Sequence, residues 1–185
     1  MASKIEPMST APPTRAERAL TTRRRMVKAG YELFCKNGYL GTTISAVADE
    51  AGVAVPTVYY TFGTKAALLG ESLGAAIMGF DLWREPPPEP IDIVELLPWH
   101  QWWAEFEAAP TSADALDIFI THGVDVLQRA GPLIAAMHGA SGEPDAAEVV
   151  RTGEERRVDS YREAIRIIAR KPGGLREGMS VPRAT

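Results

Sequence analysis

The segment from Thr42 to Lys65 constrains the fold of this chain more than any other stretch. It is predicted to form two short helices, Ile44 to Ala51 and Val55 to Thr61, joined at Gly52. Glycine suits this turn because it adopts a positive φ at little steric cost. Pro56 is compatible with the second helix because first-turn amides have no acceptor inside a helix. Helices this short bury little surface alone, so their apolar sides must pack against each other.

The side chains of this segment sort into an inner and an outer set. The predicted inner set is Ile44, Val47, Ala48, Ala51, Val53, Val58 and Phe62. The predicted outward set is Thr57, Tyr59, Tyr60 and Thr61. Hydroxyls can bond base edges or phosphates, and methyl groups can meet the thymine methyl, so the second helix suits the major groove of DNA. The alternative is a helix-turn-helix shape that never touches DNA, with the two tyrosines packed inside.

The rest of the chain is predicted to be helical as well, so the fold class is all-α. No β-type alternation exceeds four residues, and no internal repeat is present. A first helix runs from about Ala16 to Lys36 and stops at Asn37-Gly38, and Thr42 or Thr43 caps the next helix. The later helices are predicted at Lys65 to Leu82, Ile91 to Ala108 with a kink at Pro98, Ser112 (as N-cap) to Ala130 with a stop at Gly131-Pro132, Pro132 to Gly139, and Asp145 to Lys171 with a stop at Pro172-Gly173-Gly174.

Three regions follow from this pattern. We predict a flexible arm over residues 1–19, a helix-turn-helix domain over 20–80 with its motif at about 43–62, and a helical body over 81–185. The proline-rich stretch Glu85 to Pro90 separates head from body. Residues 1–65 hold nine Lys and Arg against five Asp and Glu, whereas residues 66–185 hold eleven against nineteen. A basic head on an acidic body is typical of a chain that contacts DNA with one end only.

Composition excludes several other classes. The N-terminus has no apolar stretch that could serve as a signal peptide, and no run of apolar residues is long enough for a membrane span. Cys35 is the only cysteine, so no internal disulfide can form, and a cytoplasmic location is expected. We interpret Cys35 as a packed small side chain rather than a redox sensor.

One string of residues resembles the N-terminal signature of TetR-family regulators and covers about a fifth of the chain. It reads Phe34-x3-Gly38-Tyr39-x2-Thr42-Thr43-Ile44-x2-Val47-Ala48-x2-Ala51-Gly52-Val53-x3-Thr57-x-Tyr59-x2-Phe62-x2-Lys65-x2-Leu68. The resemblance implies that Thr43 caps its helix and contacts phosphate, and that Lys65 pairs with phosphate. It also implies base contacts for Val55, Pro56 and Thr57, and phosphate or base contacts for Tyr59, Tyr60 and Thr61. Ala54 departs from the family, which often has a capping Ser or Thr there, at a cost of roughly 1 kcal/mol.

The resemblance further implies a homodimeric, ligand-responsive repressor on a palindromic operator, in which a small apolar or aromatic effector changes the spacing of the two heads. Large aromatics at the start of the body could line its pocket. The candidate ligand residues are Trp83, Trp99, Trp102, Trp103, Phe106, Met137 and His138, with Met78 and Phe119 as further candidates. The alternative is that these side chains form an ordinary core or interface.

The last predicted helix carries an apolar stripe at Val150, Val158, Tyr161, Ile165 and Ile168, which suits a helical bundle. In the family the last two helices form the dimer interface. This chain contains only the first of them, so it is expected to be truncated relative to the family, with a reduced interface or with Ile165 and Ile168 partly exposed.

Other chemistry is weakly indicated. Arg23-Arg24-Arg25, with Arg15 and Arg18, could reach phosphates or the minor groove, or could simply be a solvated helix start. The three histidines lack metal-ligand spacing, and no catalytic triad, phosphate loop or carboxylate pair is present, so we expect no metal, no cofactor and no enzyme. The rival functions are a DNA-binding-defective or heterodimerising family member that acts through protein partners and, less favoured, an enzyme built on the helical body.

Overall fold

The computed structural model describes Pro12 and residues 14–83, 93–139 and 142–179, with only the backbone described at Ile93 and His138. Every regular element in these ranges is a helix, as the periodicity predicts. The elements are α1 (Arg15–Gly41), α2 (Ile44–Ala51), α3 (Val55–Phe62), α4 (Lys65–Met78), α5 (Ile93–Leu96), a 3-10 turn (Leu97–Trp99), α6 (Trp103–Ala108), α7 (Ser112–His138) and α8 (Pro144–Arg170).

Helix α1 begins earlier than the predicted arm allows. Thr14 and Glu17 form a capping box in which the Thr14 hydroxyl accepts from the Glu17 amide and the Glu17 carboxylate accepts from the Thr14 amide. Residues 15–19 are therefore helical rather than part of a flexible arm, while residues 1–11 and 13 lie outside the described ranges. At the other end, Gly38 has a φ of 72° and interrupts the helix, as the Asn37-Gly38 pair predicts.

Helices α1, α2 and α4 enclose the core of the head. Its fully buried side chains include Met26, Val27, Phe34, Val47, Leu68 and Leu69. Where α1 crosses α4, a Cβ on Gly30 would stand 3.1 Å from atoms of both Leu68 and Ser72, so glycine permits this close approach. Helix α4 ends at Met78 rather than at Leu82, because Gly79 adopts a φ of 93° and turns the chain.

The beginning of the body is more broken than the sequence predicts. The single kinked helix expected over 91–108 is instead α5, the 3-10 turn and α6. Pro98 lies within the 3-10 turn, where its missing amide costs little because no long helix has to pass through it. The Glu85 to Pro90 linker lies outside the described residues.

Helix α7 corrects two predictions. It continues through Pro132 to His138 as one helix, so the expected stop at Gly131-Pro132 does not occur. An internal proline costs about 3 kcal/mol, but Ala130, Leu133 and Met137 are buried on both sides of it, and their packing holds the helix together. The N-cap is Thr111 rather than Ser112, because the Thr111 hydroxyl accepts from the Asp114 amide at 3.1 Å.

Helix α8 closes the molecule and ends before Pro172-Gly173-Gly174, as predicted. Its outer face carries ion pairs one turn apart, such as Arg151 with Glu155. Ile168 is buried in a second core together with Trp103 and Phe106. Ala146, by contrast, belongs to the core of the head, so α8 contributes to both cores.

Candidate nucleic-acid interface

Helices α2 and α3 form the predicted helix-turn-helix. Gly52 lies in the left-handed region (φ 64°, ψ 43°), and the Val53 amide donates to the Ala48 carbonyl at 2.9 Å, which closes the end of α2. Ala54 stands at the N-cap of α3 without a side-chain hydrogen bond, and proline occupies the first turn. The missing cap is thus real, and α3 depends on packing.

That packing comes from the predicted inner set. Ile44, Val47, Ala48 and Ala51 of α2 are buried, as are Val58 and Phe62 of α3, and half-buried Val53 packs against them. Val55, for which the resemblance implies a base contact, is half-buried and also packs against this cluster. Only part of its side chain is therefore accessible to a groove.

The opposite side of α3 is open to solvent. Tyr60 is 93% exposed and Tyr59 is 52% exposed, so neither tyrosine packs inside. Pro56 is exposed and Thr57 half-buried on the same short helix. The Thr61 hydroxyl donates to the Thr57 carbonyl at 2.8 Å, so Thr61 bonds to its own helix in this structure. The outward face of α3, defined here by Pro56, Thr57, Tyr59 and Tyr60, is the candidate contact surface of this helix.

The two threonines before α2 have different roles. Thr43 is exposed and is the N-cap, since its hydroxyl accepts from the Ala46 amide at 3.1 Å. Thr42 is buried. Its hydroxyl is within donating distance of two carbonyl oxygens, that of Gly38 at 2.8 Å and that of Leu33 at 3.0 Å. Thr42 therefore locks the end of α1, a role that sequence reasoning missed.

Lys65 is bound within the protein. Its ammonium group donates to the Tyr39 carbonyl at 2.9 Å and to the Thr42 carbonyl at 3.1 Å. It also lies 4.1 Å from the centroid of the Tyr39 ring. The resemblance implies a phosphate contact for Lys65, but the structure gives it an internal role first: it ties the start of α4 to the end of α1 and the start of α2.

The arginine run of α1 does not form one DNA-facing group. Arg23 makes a two-atom ion pair with Glu71 of α4 and lies 5.3 Å above the Phe62 ring of α3. Arg24 donates to the Trp83 carbonyl at 3.0 Å. Both are therefore tied into the head, and only Arg25 of the three is exposed without such a bond among the described residues.

The candidate ligand residues divide into separate places. Trp102, Trp103 and Phe106 form an aromatic cluster with Phe119 and His122, in which Trp102 stacks on His122 at 5.3 Å. Within it, Trp103 and Phe106 are buried. Trp83 and Met137 instead belong to the core of the head, Trp99 is 40% exposed, and the His138 side chain lies outside the described atoms. Sequence proximity thus grouped side chains that the fold separates.

Burial lowers the pKa of His100 from its ordinary value of 6.5, with Arg129 and His122 adding to the effect. His100 is therefore neutral in the folded protein at pH 7. Because the unfolded chain binds a proton more readily, the stability that a neutral His100 contributes is present above about pH 6.5 and is lost as the pH falls below it.

We expect the wild-type melting temperature to fall between about pH 7 and pH 5.5 by more than that of His100→Gln, which keeps a polar side chain but cannot titrate. Thermal melts of both proteins across this pH range measure the difference between their melting temperatures. The acidic residues are the same in both proteins, so their titration affects both equally. Parallel pH profiles for the two proteins would contradict the assignment.

Membrane-spanning helices and metal-ligand clusters were looked for in the described residues. None of the helices in residues 14–83, 93–139 and 142–179 is long and apolar enough to cross a membrane. Within the same ranges, no three His, Cys, Asp or Glu side chains come together as a metal site would require.

One known protein family and several solved structures are similar to this chain. Residues 26–71 match the family described as bacterial regulatory proteins, tetR family. Two solved structures resemble the chain with a TM-score of 0.57: the transcriptional regulator FadR from Bacillus subtilis in complex with stearoyl-CoA (15% identity, 85% of this chain and 76% of that one) and a protein from Mesorhizobium loti MAFF303099 classed as a TetR-family regulator (19% identity, 84% and 70%).

A third structure, a protein from Pseudomonas aeruginosa PAO1 classed as a transcriptional regulator, has a TM-score of 0.56 at 16% identity. The match covers 80% of this chain and 64% of that protein, which is less than two thirds of its length. At these identities the likeness concerns the fold. No curated protein matches the chain.

Proposed function

We propose that this protein is a ligand-responsive repressor of a palindromic operator. Its residues 26–71 match the TetR family, and its fold resembles that of a solved TetR-family regulator. The observation that carries this proposal is the two-sided packing of α3. One side, with Val58 and Phe62, is buried against α2, while Tyr60 on the other is 93% exposed. A helix anchored in this way presents a rigid face that a major groove can accept.

The surroundings of α3 support the same proposal. Thr43 stands exposed at the N-cap of α2, where free amides favour an anion such as phosphate. The excess of Lys and Arg over Asp and Glu in residues 1–65 adds a long-range attraction to a polyanion. The acidic body, by contrast, repels DNA and favours approach through the head.

Replacing Tyr60 with alanine is expected to weaken DNA binding by about tenfold or more, because a lost groove or phosphate contact costs roughly 1–3 kcal/mol. The fold should be unaffected, since substitutions of exposed residues stay within about 0.5 kcal/mol. Gel shifts with duplexes from the region flanking the gene, at two salt concentrations, measure the affinity. Met179→Ala, which truncates another exposed side chain at 44% exposure, is the matched control. Equal affinity for Tyr60→Ala and wild type would show that α3 does not contact the DNA.

A palindromic operator requires two heads, and we propose that the protein is a homodimer. The stripe on α8 is used within the chain, because Ile168 is buried and Val150, Val158, Tyr161 and Ile165 are half-buried. The exposed apolar face lies on α7 instead, where Leu116, Ile120, Val124 and Leu127 are 45–53% exposed. These residues recur at helical spacing along one side of α7, and contiguous apolar surface of this kind marks interaction sites.

We expect Ile120→Glu to convert the dimer to a monomer, because it places a charge at the centre of this apolar face. Sedimentation velocity measures the change. Thr121→Glu adds the same charge at the next residue, which is exposed and lies beside the stripe, and should leave the dimer intact. A wild-type protein that sediments as a monomer, or a dimeric Ile120→Glu variant, would contradict this interface.

The effector is proposed to be a small apolar or aromatic molecule that acts through the body. FadR, which shares the fold, was solved with stearoyl-CoA, and this supports the capacity of such a fold for an apolar ligand. A path to the head exists in the contacts of α7. The Arg129 guanidinium donates to the Ala76 and Ile77 carbonyls at the end of α4, and the Tyr31 hydroxyl of α1 donates to the Arg129 carbonyl at 2.8 Å. A shift of α7 would therefore move α1 and α4 together.

A further inference from the structure

Gly123 lies near the middle of the exposed apolar face of α7, where Ile120 and Leu127 are its neighbours on the helix surface. Glycine is unfavourable inside a helix, because it loses more conformational freedom on folding than any other residue. A Cβ on Gly123 would meet nothing within 4 Å, so the face has an open notch between large apolar side chains. Gly74 of α4 is equally open, but none of the described exposed large apolar side chains lies within one turn of it.

Glycines mark helix crossings elsewhere in this protein. A Cβ on Gly153 of α8 would stand 3.3 Å from Leu73 of α4, and one on Gly70 of α4 would stand 3.6 Å from Val149 of α8. Small residues at such points let two helix backbones approach closely. Gly123 has the same kind of position on α7, but among the described residues no atom of another helix comes within 4 Å of its Cβ position.

The shape of this face fits a second copy of the chain. It carries both the projecting side chains, Ile120 and Leu127, and the notch at Gly123 that can receive such a side chain. A surface with both features is complementary to itself, as a two-fold symmetric interface requires. The same helix exposes the carboxylates of Asp117 and Asp125, which disfavour an anionic lipid surface as the partner.

We propose that two copies of the chain pack α7 against α7 and cross at Gly123, with large apolar side chains of each copy beside the notch of the other. The inference rests on the homodimer proposed above and deepens it, because it names the crossing point. The Arg129 guanidinium of the same helix donates to carbonyls at the end of α4, so this crossing point sets the spacing of the two heads.

Filling the notch should have opposite effects on the dimer and on the fold. We expect Gly123→Leu to raise the dissociation constant of the dimer by about tenfold to hundredfold, as added bulk in a close-packed contact does. In the monomeric Ile120→Glu background the same substitution should raise the melting temperature by about 2–4 °C, because leucine favours the helix and the notch is open. Sedimentation over a concentration series and thermal melts measure the two effects.

The matched control is Thr121→Leu, which places the same side chain on an exposed position of α7 beside the stripe. It should leave the dissociation constant of the dimer unchanged. None of these measurements uses DNA, so a failure of operator binding is distinguished from a failure of the proposed crossing.

A disulfide crosslink locates the crossing point directly. Where two symmetry-related helices cross, the residue at the crossing faces its own copy. With Cys35 replaced by serine, Gly123→Cys should therefore form a covalent dimer under mild oxidation, at least about tenfold faster than Thr121→Cys in the same background. Non-reducing gel electrophoresis measures both rates.

Two results would overturn the crossing while a monomeric Ile120→Glu variant still supported the homodimer. They are equal dissociation of the Gly123→Leu and Thr121→Leu dimers, and faster crosslinking through Thr121→Cys. A lower melting temperature for Gly123→Leu in the monomeric background would also overturn it, because the notch would then be filled within one chain. A monomeric wild type would overturn both the crossing and the homodimer, and its binding to anionic vesicles would assign the face to a membrane.

Discussion

Replacing Lys65 with methionine is expected to lower the free energy of unfolding by about 2–4 kcal/mol, as well as to weaken DNA binding. The ammonium group donates to the Tyr39 and Thr42 carbonyls, and hydrogen bonds from charged groups are worth about 1.5–3 kcal/mol each before their overlap is considered. The contact with the Tyr39 ring adds about 0.5–2 kcal/mol. Methionine keeps the apolar stem and removes only these interactions.

Chemical denaturation and a gel shift on the same variant separate the structural role of Lys65 from a phosphate contact. If Lys65 contacted only a phosphate, replacing it would leave the free energy of unfolding unchanged. The slope of log affinity against log salt concentration would then fall by about one. Lys28→Met is the matched control, because that lysine is exposed and makes no bond to a carbonyl among the described residues. Unchanged stability in Lys65→Met would refute the internal role.

Replacing Arg23 with methionine is expected to destabilise the protein by about 3 kcal/mol, because it removes the guanidinium partner of a carboxylate in a poorly solvated site. The Arg23 and Glu71 side chains are only 18% and 12% exposed. Arg23 also covers the Phe62 ring at the end of α3, so its loss should weaken DNA binding through the position of α3. Urea denaturation measures the stability of the variant.

Two further variants sharpen this expectation. Arg23→Met/Glu71→Met should recover most of the lost stability, since a buried ion pair and an apolar pair of similar volume are often nearly equivalent. Arg25 lies two residues from Arg23 and is exposed. Arg25→Met should therefore change the free energy of unfolding by no more than about 0.5 kcal/mol. If Arg23→Met were no less stable than Arg25→Met, the ion pair would have no structural role.

Local features were predictable because neighbours along the chain determine them. The bounds of α2, the left-handed Gly52 and the interruption of α1 at Gly38 follow from glycine chemistry and short-range hydrogen bonds. The division of α2 and α3 into a buried and an outward side follows from helical periodicity. The course of α7 through Pro132 was missed because packing on both sides of the proline outweighs its local cost.

The sequence by itself therefore determined that the chain is all-α and that a helix-turn-helix presents Tyr59 and Tyr60 outward, since spacing along the chain decides both. Only the tertiary structure decided the partners of Lys65, Arg23 and Trp83. Each of these contacts joins residues distant in sequence, such as Arg23 with Glu71 or Arg24 with Trp83. A charged or aromatic side chain carries no local mark of whether its partner is a neighbouring helix or a ligand, because that depends on which helices the fold brings together.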